Sequence, residues 1–205
     1  MRINTIFIMF LFVMSSILTF STKHAYADEG NGVIKGKVIT KVPKYKKDSV
    51  VYIERTEGDF QPPEEHAKMD QIELTFIPHV LVILKGTTVD YHNGDDIAHN
   101  VFSPDDVADK MNLGTWLKGE VRPYTFNKPG VAVMLCNVHP EMEAYVVVLQ
   151  NPYFAKTDND GNYIIENIPP GEHTVKVWNK KYRGKDEKIK VKAGETITVD
   201  FELKR

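Results

Sequence analysis

The sequence predicts an all-β protein of sandwich type, and three observations carry that reading. Short runs rich in Val, Ile, Thr, Tyr and Phe recur along the chain. Gly, Pro, Asn and Asp punctuate them at short intervals. A single stretch, 104–111, reads as a helix. The 205 residues are 42% hydrophobic and 26% charged, a globular balance that excludes disordered, collagen-like and coiled-coil chains. With 26 basic and 28 acidic residues the net charge is −2, and no basic stripe stands out, which argues against a nucleic-acid partner.

Residues 1–27 read as a secretory signal rather than as part of the fold. Arg2 gives a positive start, Thr5 to Phe20 is an apolar run, and Ala25-Tyr26-Ala27 forms a small-x-small cleavage site. The run is short for a membrane span of about 20 residues. No cysteine follows it to carry a lipoprotein anchor. The expectation is an exported chain, periplasmic or at the cell surface, with no membrane span in its mature form. Cleavage after Ala27 takes 27 of 205 residues and leaves 178; Arg2 and Lys23 go with the signal, leaving 24 bases, 28 acids and a net charge of −4. One cysteine, Cys136, rules out an internal disulfide. A lone thiol in an oxidising compartment needs a role.

The mature chain opens with two short strands, V-I-K-G-K-V-I-T (33–40) and S-V-V-Y-I-E (49–54). Residues 55–70 are polar with a Pro pair and read as a connection. Strands follow at 72–76, 80–84, 87–91, 122–126, 131–136 and 144–149. The helix candidate at 104–111 has Ser103 as its cap and Pro104 at its first position. A second turn-rich junction at 150–160 precedes strands at 162–166, 173–178, 188–191 and 196–203.

One cluster carries chemistry. C-N-V-H-P-E-M (136–142) presents a thiol, an imidazole and a thioether at i, i+3 and i+6 of one loop. His99 stands before an apolar strand 37 residues before Cys136. Two His, one Cys and a weak axial Met form the blue-copper donor set. Thiolate sulfur binds both copper oxidation states, two imidazoles complete a plane that suits both, and a long thioether bond tunes the potential. The predicted ligands are therefore His99, Cys136, His139 and Met142, holding one type 1 copper. Zinc fits less well, because Met is a poor zinc ligand. His92 reads as a surface residue and His79, after Pro78, as a residue near the sheet edge, and neither reads as a ligand. D-N-D-G (158–161) reads as a turn, since Pro169 stands where a calcium loop needs its glutamate. No G-x-S-x-G, H-E-x-x-H or Gly-rich phosphate loop is present.

Residues 72–102, with their F-x-P, G-T-T-V, N-x-D and H-N-V elements, resemble the first half of a cupredoxin. F-N-K-P-G-V-A-V-M-L-C-N-V-H-P-E-M (126–142) is similar to the end of plastocyanin and amicyanin, and its short loop is closer to amicyanin. The resemblance implies a Greek-key β-sandwich over 66–150. It also implies a main-chain N–H of Asn100 bonded to the cysteine sulfur, and His139 at the solvent edge where electrons pass. Residues 157–178, T-D-N-D-G-N-Y through P-P-G-E-H-T-V-K-V-W, resemble a carboxypeptidase regulatory-like domain, a transthyretin-like sandwich, with His173 where Tyr is usual. That family's opening G-x-V-x-G-x-V pattern is similar to G-V-I-K-G-K-V at 32–38. The expected organisation is a discontinuous sandwich, 28–60 and 151–205, with the cupredoxin inserted into it or fused to it.

The function implied is that of an exported electron carrier, not an enzyme, exchanging single electrons with redox-protein partners. Its oligomeric state is not legible. The alternative is a copper protein for storage or delivery; a complete donor set favours the carrier, because delivery sites leave the ion open for exchange. A third reading, a structural sandwich in which copper is secondary, predicts that Cys136→Ser keeps full biological activity.

Overall fold

A computed structural model describes residues 30–205; the secretory-signal reading of 1–27 lies outside them. The chain begins with β1 (Gly32–Thr40) and β2 (Val50–Ile53). It continues through β3 (Ala67–Ile72), β4 (Thr75–Ile77), β5 (Val80–Leu84), β6 (Thr88–Asn93) and β7 (His99–Phe102). Then come β8 (Asn112–Trp116), β9 (Val121–Thr125), β10 (Gly130–Leu135) and β11 (Glu143–Leu149). The last are β12 (Phe154–Lys156), β13 (Asn162–Ile168), β14 (Gly171–Trp178), β15 (Glu187–Val191), β16 (Thr196–Thr198) and β17 (Phe201–Leu203). The all-β class expected from alternation and punctuation is the class observed.

Strands β3 to β11 form one sandwich. One sheet runs β4-β3-β6-β9, and the facing sheet runs β5-β11-β10-β7-β8. Inward residues alternate along each strand, as period-2 geometry requires. Met69, Phe76, Val89, Tyr91, Val101, Trp116, Phe126, Met134 and Val146 close a core with Cys136 and Met142 at one end. Among the described residues, β1 and β2 pair with none of these strands. β1 pairs with β13, β16 and β17, and β2 with β12 and β14. Ile34, Val38, Val51, Ile165, Val175 and Phe201 fill this second core. Gly36 of β1 is required there, because a Cβ would lie 1.8 Å from the Val199 carbonyl oxygen.

A third apolar cluster joins the two sandwiches. Val80, Val147 and Leu149, on the outer face of the β5-β11 pair, are buried with Val50, against partly buried Tyr52, Phe154 and Trp178. This explains why β11 departs from a one-sided pattern: Val146 and Val148 face one core while Val147 and Leu149 face the other side and are also buried. Lys156 Nζ donates to the Val80 carbonyl across the same joint, at 3.1 Å.

Three local expectations are corrected. The strand at 72–76 is interrupted: Glu73 and Leu74 make a two-residue turn with φ of +52° and +59°, and β3 and β4 flank it. The connection at 55–70 ends early, because Met69 and Gln71 alternate into the core and β3 pairs in parallel with β6. The helix at 104–111 shrinks to one 3-10 turn, Asp106–Ala108. Asp109 and Lys110 take left-handed φ, and the Asp105 carboxylate accepts the Val133 N–H at 2.7 Å, pinning the segment to β10. Ser103 Oγ does accept the Asp105 N–H, at 3.3 Å.

Candidate metal centre

Three segments converge at the end of the central sandwich. β7 begins on His99, β10 delivers Cys136, and the loop before β11 carries His139 and Met142. The loop is tight because the Met142 N–H donates to the His139 carbonyl at 3.0 Å. The donor atoms of His99, Cys136 and His139 all lie within 4.8 Å of one another. The two Nδ1 atoms are 3.0 Å apart, and Cys136 Sγ is 3.9 Å from His139 Nδ1. Cys136 and His99 are buried, Met142 is 1% exposed, and His139 is half-buried at the rim. Among the described residues this is the one group of His, Cys, Asp and Glu side chains placed to hold a metal ion.

Asn100 ties the two ligand-bearing segments together. Its main-chain N–H points at Cys136 Sγ, 3.4 Å away. Its side-chain Nδ2 donates to Asn112 Oδ1 (2.9 Å) and to the Gly114 carbonyl (2.8 Å), and its Oδ1 accepts the Asn137 N–H (3.3 Å). Trp116, opposite His99 on β8, is buried, with the Arg122 guanidinium 5.0 Å from its ring.

The remaining ring nitrogen of His99 is also engaged: Nε2 lies 2.8 Å from Asp95 Oδ2. Burial works against the negative charge of Asp95. The Leu74 N–H, the His99 imidazole and the Glu73 N–H outweigh it and hold the carboxyl below the ordinary carboxylate range. Asn93 and Asp95 lie within the N-x-D element, which by itself assigns neither a role; the fold turns Asp95 onto the ring of His99, four residues further on.

Other sequence candidates lie elsewhere. His79 sits at the joint between the sandwiches, edge-on to Tyr145 and accepting from Lys180 Nζ at 2.8 Å. His92 is half-buried on β6, level with Asp70 of β3. Asp158 spends its carboxylate on its own turn, accepting the N–H groups of Asp160 and Asn162, both at 2.8 Å. His173 is buried, with Nε2 2.8 Å from the Pro169 carbonyl.

The donor set suits a soft, borderline ion. Two imidazole nitrogens and a sulfur face one point, and no carboxylate joins them there as a hard cation would demand. The main-chain N–H on Sγ supports a thiolate. Copper is the cofactor this set fits.

Comparison with family models agrees. Residues 63–149 match the family model of copper binding proteins of the plastocyanin/azurin family, and residues 139–204 match that of the carboxypeptidase regulatory-like domain. Among solved structures, a purple cupredoxin from Nitrosopumilus maritimus is 26% identical, covering 40% of this chain and 98% of its own, with a TM-score of 0.37. A reduced amicyanin variant is 23% identical, covering 48% of this chain and 97% of its own, with a TM-score of 0.39. No curated protein matches the chain.

Proposed function

We propose that this chain, which joins a copper-binding domain of the plastocyanin/azurin family to a carboxypeptidase regulatory-like domain, is an exported type 1 copper protein that carries single electrons between redox proteins. The observation that carries the reading is the convergence of His99, Cys136 and His139, with Met142 buried on the same loop. Copper bound there supplies one-electron chemistry between Cu(II) and Cu(I). The protein's part is to keep the donors in one arrangement for both states. Asn100 does so by locking the His99 and Cys136 segments, and the dry core around Cys136 excludes water. No step of substrate turnover is assigned to these residues.

His139 is the ligand nearest solvent and forms the edge for electron exchange. Exposed apolar side chains flank the site in sequence: Val138 adjoins His139, Ile97 stands two residues before His99, and Leu117 follows Trp116. Exposed apolar residues so near the ligands in sequence suit brief docking of a partner protein through a small interface. We further propose that the cupredoxin domain, 66–150, is inserted between 28–60 and 151–205, and that the regulatory-like sandwich holds it through the apolar joint. No helix of the described residues is long and apolar enough to cross a membrane.

The test is the visible and EPR spectrum after one equivalent of Cu(II). The expected result is an intense thiolate-to-copper band and a type 1 EPR signal, both absent in Cys136→Ser. A colourless protein with tetragonal Cu(II) sinks the carrier reading and moves copper storage or delivery to the front.

A further inference from the structure

We propose that Asp95 is a positioning residue for His99, and that the strained β3–β4 turn exists to hold it. The inference rests on the reading of His99 as a copper ligand. An ionised carboxylate only accepts hydrogen bonds, so the 2.8 Å contact of Asp95 Oδ2 with His99 Nε2 places the ring proton on Nε2. The lone pair is then on Nδ1, the atom that faces His139 and the thiol. His99 is fully buried, so neither water nor rotation competes with that choice.

Asp95 is itself gripped from three sides. Its Oδ1 accepts the Glu73 N–H at 2.8 Å and its Oδ2 accepts the Leu74 N–H at 3.1 Å. Its own N–H donates to Asn93 Oδ1 at 2.9 Å. Asn93 is buried, and its Nδ2 donates to the carbonyls of Ile97 and Trp116, both at 2.9 Å. Glu73 and Leu74 both have left-handed φ. Two-residue hairpin turns of that shape normally use Asn-Gly or Asp-Gly. Such strain persists where the surroundings over-determine it. Here the left-handed pair turns two successive N–H groups toward one carboxylate. The neighbouring Asp96 points elsewhere, paired with Lys118 at 2.8 Å. A carboxylate on the far nitrogen of His99 strengthens its donor and favours Cu(II) over Cu(I).

Three variants and three readouts test this on the purified protein. Asp95→Asn keeps size and an acceptor but loses the charge; Asp95→Ala loses both. In the copper form, Asp95→Asn is expected to lose about tenfold in preference for Cu(II) over Cu(I), a rise in midpoint potential of about 59 mV for one electron. Asp95→Ala is expected to lower Cu(II) affinity by about 10–100-fold. In the metal-free protein, the 15N shifts of His99 are expected to report the Nε2–H tautomer, and Asp95→Ala to mix it with the other. Leu74→Gly relieves the turn but leaves the carboxylate, so its potential is expected to match the parent. An unchanged potential in Asp95→Asn together with an unchanged tautomer in Asp95→Ala overturns the proposal. If the parent itself lacks a type 1 spectrum, the ligand reading fails, and the metal-free nitrogen shifts still decide whether Asp95 sets the tautomer.

Discussion

Replacing Asn100 by alanine separates the scaffold of the site from its electronic signature. The side chain makes three hydrogen bonds at 2.8, 2.9 and 3.3 Å, and each links the His99 segment to either β8 or the Cys136 loop. A typical buried bond contributes about 1 kcal/mol net. Asn112 and Asn137 are exposed and recover water when Asn100 is truncated, whereas the half-buried Gly114 carbonyl recovers it poorly. The expected loss is therefore about 2 kcal/mol of stability in the metal-free protein, read by urea denaturation with an unchanged slope. Asn112→Ala removes one shared partner, so the double variant should lose less than the sum of the singles, with a coupling of about 0.5–1 kcal/mol. The contact with Cys136 Sγ comes from the main chain of residue 100 and survives the substitution. The type 1 absorption should persist, with copper loaded. A stability change under about 0.5 kcal/mol, or complete loss of the thiolate band, would refute the assignment of Asn100 as the tie between the ligand segments.

Two further predictions address the joint between the sandwiches. Leu149→Ala empties part of its apolar cluster; Leu149 is 7% exposed, so the cost should sit at the low end of core truncations, about 2 kcal/mol, and amide exchange should quicken first in β2 and β12. Unchanged exchange in those strands would count against the shared core. Burial, and then the neighbouring Lys180 ammonium, hold His79 below the ordinary imidazole value. The unfolded chain thus binds the extra proton more readily, and this contribution to stability, complete above a pH of about 6.5, is lost as pH falls through the folded-state value. His79→Gln should flatten the pH profile of metal-free stability in that window, and an identical slope in parent and variant would reject the account.

Much of the site was legible because its information is local. Cys136, His139 and Met142 occupy one seven-residue run, and no other cysteine competes for the thiol role. Strand positions were legible wherever apolar residues alternate or run together between turn residues, as at 80–84 and 144–149. The turn at Glu73 and Leu74 was not, because neither residue favours left-handed φ by itself. Its support comes from Asp95, 21 residues further along the chain. The strand at 67–72 was hidden for a similar reason: its polar Asp70 and Gln71 gain their place from the parallel pairing with β6.

By itself, then, the sequence determined the chemistry on offer: a β-rich chain, one thiol, and the imidazoles and thioether spaced to meet it. Those are properties of residue identity and short-range periodicity. Only the tertiary structure decided which atoms face one another. The Nδ1 atoms of His99 and His139 lie 3.0 Å apart across 40 residues, Asp95 is held by N–H groups 22 and 21 residues away, and β1 pairs with strands more than 120 residues away. Strand pairing and side-chain convergence over such separations depend on burial of shared apolar faces, which no local pattern encodes. The same physics makes the outer face of β11 a second core rather than a solvent surface.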